Sequence, residues 1–302
     1  MSIEKPAQLA SLVDTDDFTA VAAEAKRFYS FHYSLSTYNP IEKRHKAVVR
    51  LFAGDFAGYK ACNTPYHDLR HTIHVFLTAA RLLDGYMLKH PQEKLPHKLA
   101  LRVLTSALLH DIGYVQEESD TEGTGAVYTA NHVQRGISMI RQHRQTLGVG
   151  ADDLAYITRF ILSTNLAERF DKIPFQSRQE TTGAAIAASA DLLGQMADRE
   201  YLERLLFLYY EFKEAGIPGY DTEYDIIRQT KDFYALALRR FRVTLVNTYR
   251  YATPHFRERF HINRNLYMTA IHRHIAYVDR IIQDDTTNFR AKLNRNNFMA
   301  GT

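Results

Sequence analysis

Apolar residues recur along this chain at helical spacing. In 16-DDFTAVAAEAKRFYSFHYSL-35, Phe18, Val21, Ala22 and Ala25 share one face, and the acidic start suits the positive end of a helix dipole. Segment 97-HKLALRVLTSALLHDIGYV-115 is apolar around most of its circumference, which predicts a buried central helix. The same period predicts helices over 132–147, 151–164, 180–196, 198–215, 223–246 and 264–284, and no run alternates convincingly as a strand would. The breaks 89–97, 117–126, 170–175 and 216–220 are short, and none resembles an interdomain linker. No internal repeat or low-complexity tract is present. The pattern predicts an all-α fold, one compact helical domain over residues 1–302.

Composition agrees with that picture. The chain is 45% hydrophobic and 24% charged, enough apolar residue to build a sizeable core. Its 19 Tyr and 17 Phe are read first as core. A net charge of +4 argues against a dedicated nucleic-acid binder and is compatible with an anionic substrate. The single cysteine, Cys62, rules out a disulfide within the chain and fits a reducing compartment. The start, MSIEKPAQLA, lacks the basic-then-apolar order of a secretory signal, and no apolar run is long enough to span a bilayer. The expectation is a cytoplasmic protein with no membrane partner, its oligomeric state open to a homo-oligomer. Seven arginines crowd 239–264 against one acid, Glu258. A solvated or partner-facing helical surface is the favoured reading there, ahead of a phosphate-attracting rim.

Three segments carry candidate chemistry. In 64-TPYHDLRHTIHVF-76, Thr64 and Pro65 read as a helix start. On such a helix His67, His71 and His74 fall within about 60° of one another, so one face offers up to three imidazoles. In 107-ALLHDIGY-114, His110 and Asp111 follow directly on an apolar helix. A carboxylate placed there asks for a cation or a partner, against the simpler reading of a helix end facing water. Asp191 lies mid-helix in 184-AAIAASADLLGQM-196, where an ion pair with an arginine is the competing explanation. Together His71, His110, Asp111 and Asp191 supply two imidazoles and two carboxylates, a set suited to a divalent ion with positions left for water rather than to a closed structural zinc site.

With these segments in place, the chain resembles the HD-domain metal-dependent phosphohydrolases, whose signature is H…HD…D on a helical scaffold. In motif order it is most similar to the cyclic-nucleotide phosphodiesterase catalytic domain, through 65-PYHDLRHTIHV-75, 110-HDIGYVQ-116, 130-ANHVQRG-136, 161-ILSTNL-166 and 190-ADL-192. The resemblance implies a metal-site core over about 60–195 followed by a C-terminal helical part over about 198–302. It implies that His71, His110, Asp111 and Asp191 hold a divalent ion (Zn, Mn, Mg or Fe), that His67 is the general acid, and that His132 supports a second metal. Tyr66, His74 and Asn165 would neighbour substrate or ligands. Asp68, His74, Tyr114, Ala130, Asn131 and Asn165 depart from the family pattern, mostly around the second metal, which stays open. Gln229 lies in the part of the chain where that family has its purine-binding glutamine, without a motif to anchor it. The implied function is hydrolysis of a small, nucleotide-type phosphoester by a hydroxide generated at the metal. The alternatives are a nucleotidase or triphosphohydrolase, a di-iron oxygenase on the same scaffold, and a non-catalytic helical interaction protein.

Overall fold

The computed structural model describes residues 8–284 and 288–293. Readings that concern residues 1–7, including most of the leader argument, lie outside that range, as do the chain's last nine residues. The described chain is all helical: α1 Phe18–Ser30, α2 Asn39–Phe52, α3 Leu69–Lys89, α4 His97–Leu109, α5 His132–Gln142, α6 Ala151–Thr164, α7 Arg178–Met196, α8 Tyr201–Glu214, α9 Glu223–Arg239, α10 Ala252–Phe260, α11 Leu266–Gln283 and α12 Phe289–Leu293. Among the described residues the only β pairing is an isolated bridge between Tyr59 and Glu117. No described helix is long and apolar enough to cross a membrane.

The centre of the fold is α3. Every residue from His71 to Met87 is buried, so the helix is covered on all sides. Helices α1, α4, α7 and α10 pack around it. Helix α7 is built from small residues, and its Gly194 lies where an added Cβ would meet the Val75 backbone at 3.3 Å. That close approach brings Asp191 on α7 towards the start of α3. One hydrophobic core runs from Val21 to Leu293. Residues beyond 198 therefore complete the same core and do not form a separate unit.

The helices expected over 132–147 and 223–246 end early, at Gln142 and Arg239, and two expected boundaries beside the candidate ligands move as well. The helix expected to start at Thr64 starts at Leu69, after bends at 65–68. The amides of Tyr66 and His67 donate instead to Glu211 Oε1, at 2.7 and 3.3 Å, and Arg204 Nη2 donates to the Tyr66 carbonyl at 2.6 Å. Groups from α8 thus satisfy backbone that a helical turn would have used. Asp68 becomes the N-cap, accepting the His71 amide at 2.8 Å. His67 is consequently not on the helix with His71 and His74. At the other boundary, α4 ends at Leu109, so His110 and Asp111 sit at its C-terminal end, before a short 3-10 turn over Ile112–Tyr114.

Candidate metal centre

Four elements deliver the candidate ligands. His71 lies in the first turn of α3, His110 and Asp111 follow α4, Asp191 projects from α7, and His132 opens α5. Gly113 allows the last approach: a Cβ there would lie 1.9 Å from the His132 carbonyl oxygen, so only glycine lets the start of α5 rest on the turn after Asp111.

The ligand atoms of His71, His110 and Asp191 all lie within 4.8 Å of one another, a group that could hold a metal ion. The two Nε2 atoms are 3.2 Å apart. Asp111 Oδ2 lies 3.3 Å from His71 Nε2 and 3.2 Å from His110 Nε2, and Asp191 Oδ1 lies 3.5 and 3.7 Å from the same atoms. Adjacent ligands on one cation, each about 2.1 Å from it, stand roughly 3.0–3.5 Å apart. His110 donates its Nδ1–H to the Ala107 carbonyl at 3.0 Å, which leaves Nε2 as the lone-pair atom facing the cluster. Asp111 is 3% exposed, and its Oδ2 has no hydrogen-bond partner. The water-facing reading of Asp111 therefore fails. A buried, unpartnered carboxylate oxygen opposite two imidazole nitrogens is the donor arrangement a divalent cation completes.

The electrostatics agree. Burial works against a charged His71 ring, yet the Asp111 and Asp191 carboxylates beside it outweigh that and push its pKa up to about 10. His110 moves up for the same reasons, and its charge and that of His71 hold Asp111 well below the usual carboxylate range despite burial. Without a cation the cluster compensates its two acids with protons, and a metal would have to displace them.

Beside this cluster stands a stack of three rings. His67 lies on Tyr114 with ring centroids 4.3 Å apart, and Tyr114 lies on His132 at 4.5 Å. His67 donates Nδ1–H to Glu211 Oε2 at 2.6 Å, leaving Nε2 for other work. His132 donates Nδ1–H to the Thr129 carbonyl at 2.8 Å, and its Nε2 lies 3.7 Å from Asp111 Oδ1, the oxygen not facing His71. Burial pulls the His132 pKa down, which favours the neutral ring a ligand needs. His67, His71, Asp111, His132 and Asp191 lie on the wall of a cavity of about 480 Å³. Its remaining wall is largely apolar and aromatic, including Phe212, Tyr220 and Phe233, with Gln195 and Gln229 as polar groups.

The other candidates divide. Tyr66 lines the cavity and donates its hydroxyl to Gln195 Oε1 at 3.0 Å. Asn165 also lines it, while its Oδ1 accepts the Ala167 amide at 2.9 Å. His74 does not join the cavity. It lies behind the ligands, with Nδ1 3.5 Å from Asp198 Oδ2. The arginines of 239–264 do not form one face: Arg240 donates to the Ser163 and Asn165 carbonyls, Arg259 pairs with Asp84, and the others are exposed. Glu211 is the residue the sequence reading missed. The signal available was an acid on an apolar helix, 205-LLFLYYEF-212, and it is 1% exposed.

A family profile described as Npun_R2479-like matches residues 29–268. The chain belongs to the Npun_R2479-like family. The matched range spans every site residue named here, from Tyr66 to Gln229. No curated protein matches the chain.

Proposed function

We propose that this Npun_R2479-like protein is a metal-dependent phosphohydrolase of phosphodiesterase type, acting on a small nucleotide-like phosphoester. The observation that carries the reading is one juxtaposition. A four-residue donor cluster with an unpartnered carboxylate oxygen lies beside a histidine whose ring is pinned by a buried glutamate, on the wall of one cavity. The motif order that resembles HD-domain phosphohydrolases supports it.

His71, His110, Asp111 and Asp191 would hold the cation. A divalent ion there supplies Lewis-acid polarisation of a phosphoryl oxygen and an acidified water near neutral pH. The chain's own residues do the remainder. Asp111 presents Oδ2 to the imidazoles and Oδ1 towards His132, so one carboxylate can orient groups on both sides. Glu211 fixes the His67 tautomer with Nδ1 protonated, and Nε2 is the atom that delivers a proton to the leaving oxygen. Phe212, Tyr220 and Phe233 give the leaving group an apolar, stackable surface that excludes water. Among the described residues the cavity wall carries no lysine or arginine, which favours a singly charged diester over a triphosphate.

Elemental analysis of the purified protein, joined to a screen of cyclic and linear nucleotides, tests the reading. A bound divalent metal and phosphoester turnover are expected. A protein that takes up no divalent metal, or a metal-loaded protein that hydrolyses none of the panel, would sink it. A second reading rests on His132: its approach to Asp111 Oδ1 offers room for a second cation, as a di-iron oxygenase needs. Two irons per chain with oxygen uptake would select that reading.

A further inference from the structure

Beside the metal ligands, further along α3, lies a second cavity of about 300 Å³. His74, Thr78 and Arg81 line it from α3, Gly194 from α7, and Leu12 belongs to a covering segment that precedes α1. Arg81 is 1% exposed. Its Nη1 donates to the Tyr267 hydroxyl at 3.1 Å, and its Cζ lies 5.7 and 5.9 Å from the ring centroids of Phe256 and Tyr267. Nε and Nη2 have no hydrogen-bond partner. Among the described residues no carboxylate pairs with Arg81. Three of the four acids of this cavity, Asp16, Asp198 and Glu200, bind Arg70, at 2.8, 3.0 and 2.9 Å, and the fourth, Asp14, accepts the Asp16 amide through Oδ1 at 3.0 Å.

Which atoms are free is informative. Nε–H and Nη2–H lie on the same edge of the planar guanidinium, the edge that takes both oxygens of an oxyanion in two parallel hydrogen bonds. A guanidinium cannot shed its charge when buried, so an unpartnered, buried edge on a residue that lines a cavity is an unmet demand for an anion. We propose that this cavity is a binding site for a small oxyanion, a carboxylate or a phosphate, held side-on by Arg81 Nε and Nη2. The proposal does not depend on the hydrolytic reading. The cavity nevertheless touches both helices that carry ligands, since His74 and Gly194 follow His71 and Asp191 by one turn on α3 and α7.

Calorimetric titration of the purified full-length protein with acetate and with inorganic phosphate tests it, with thermal unfolding as a second readout. At least one probe is expected to bind at one saturable site and raise the unfolding temperature. Arg81→Met should weaken that binding at least tenfold, on the order of the loss of one bidentate pair, while leaving metal content unchanged. Leu12→Asp, on the covering segment, should weaken it by charge repulsion and decides the matter if Arg81→Met does not fold. Asp111→Ala should keep it, which separates this site from the metal centre. Acetate binding alone assigns the site to carboxylates, phosphate binding alone to phosphates, and binding of both to any paired oxygens. The proposal is overturned if neither probe binds, or if affinity is unchanged in Arg81→Met and Leu12→Asp.

Discussion

Helix α3 carries two buried histidine–aspartate clusters, and they are wired differently. Near its C-terminal end, Asp84 accepts from His32 Nε2, His255 Nδ1 and Arg259 Nη2, each at 2.7 Å. Both carboxylate oxygens are taken, and an arginine supplies permanent charge. Near its N-terminal end, the imidazole and carboxylate atoms of His71, His110, Asp111 and Asp191 face one another at 3.2–3.7 Å, and Asp111 Oδ2 is left without a partner. In the first cluster the carboxylate is fully paired, and it ties the segment after α1 to α3 and α10. In the second, one carboxylate oxygen stays unpartnered, and the group could hold a metal ion. Residue types alone do not distinguish a structural cluster from a ligand site; the distances and the unmet valence do.

The comparison can be broken most sharply at its two aspartates. Asp111→Ala is expected to remove metal and reduce phosphoester hydrolysis to the uncatalysed rate, with the fold retained; elemental analysis, turnover and circular dichroism report the three. Asp84→Ala should do the opposite, costing about 3–5 kcal/mol of stability by stranding a buried arginine and histidine, while the folded fraction keeps its metal. Denaturant unfolding measures that cost, and an Asp84→Ala protein as stable as the parent would erase the distinction.

His67→Ala is expected to lower kcat by about 10²–10⁴-fold with metal content intact. The deficit should shrink on esters with a good leaving group, and equal loss on good and poor leaving groups would refute the proton-donor role. Glu211→Gln acts through His67 and should cost less, about 10–100-fold, with a displaced alkaline limb in the pH profile of kcat. A purely structural Glu211 would alter stability and leave that limb in place.

The smallest effect concerns pH. Burial holds His255 and His74 down at about 4, below the ordinary histidine value of 6.5. Between those values the unfolded chain binds protons that the folded chain refuses, so stability is full above about pH 6.5 and falls as pH falls towards 4. Each ring should remove about 2 kcal/mol between pH 7 and pH 5. Asp84, held far below the carboxylate range chiefly by His255, His32 and Arg259 against its burial, adds stability that is lost only in stronger acid. Unfolding of His255→Gln at pH 7 and pH 5 should show a flatter dependence than the parent.

Much of the scaffold was legible because helical periodicity is a local property. The apolar run 97–109, the small-residue run ending at Met196 and the starts of α1 and α9 lie close to where spacing predicted. Helix α2 was passed over, although Ile41, Arg44, Val48 and Leu51 bury one face of it, because its surface is so polar that the stripe is faint. Helix α10 was passed over too; it is short and rich in charge. Thr64–Pro65 misled because a cap signal is local, whereas the amides of Tyr66 and His67 were claimed by Glu211, 145 and 144 residues away.

The sequence by itself determined the helical class and named the candidate donors, because periodicity and the order of H, HD and D along the chain are one-dimensional properties. Only the tertiary structure decided where each candidate lies and what it faces. It turned His71 into the cluster and His74 behind it, lifted His67 off the helix onto Tyr114, and supplied Glu211 from a distant helix. The reason is physical: a ligand role depends on distance and on which atoms remain unpaired after burial, and both are set by packing between segments far apart in the chain.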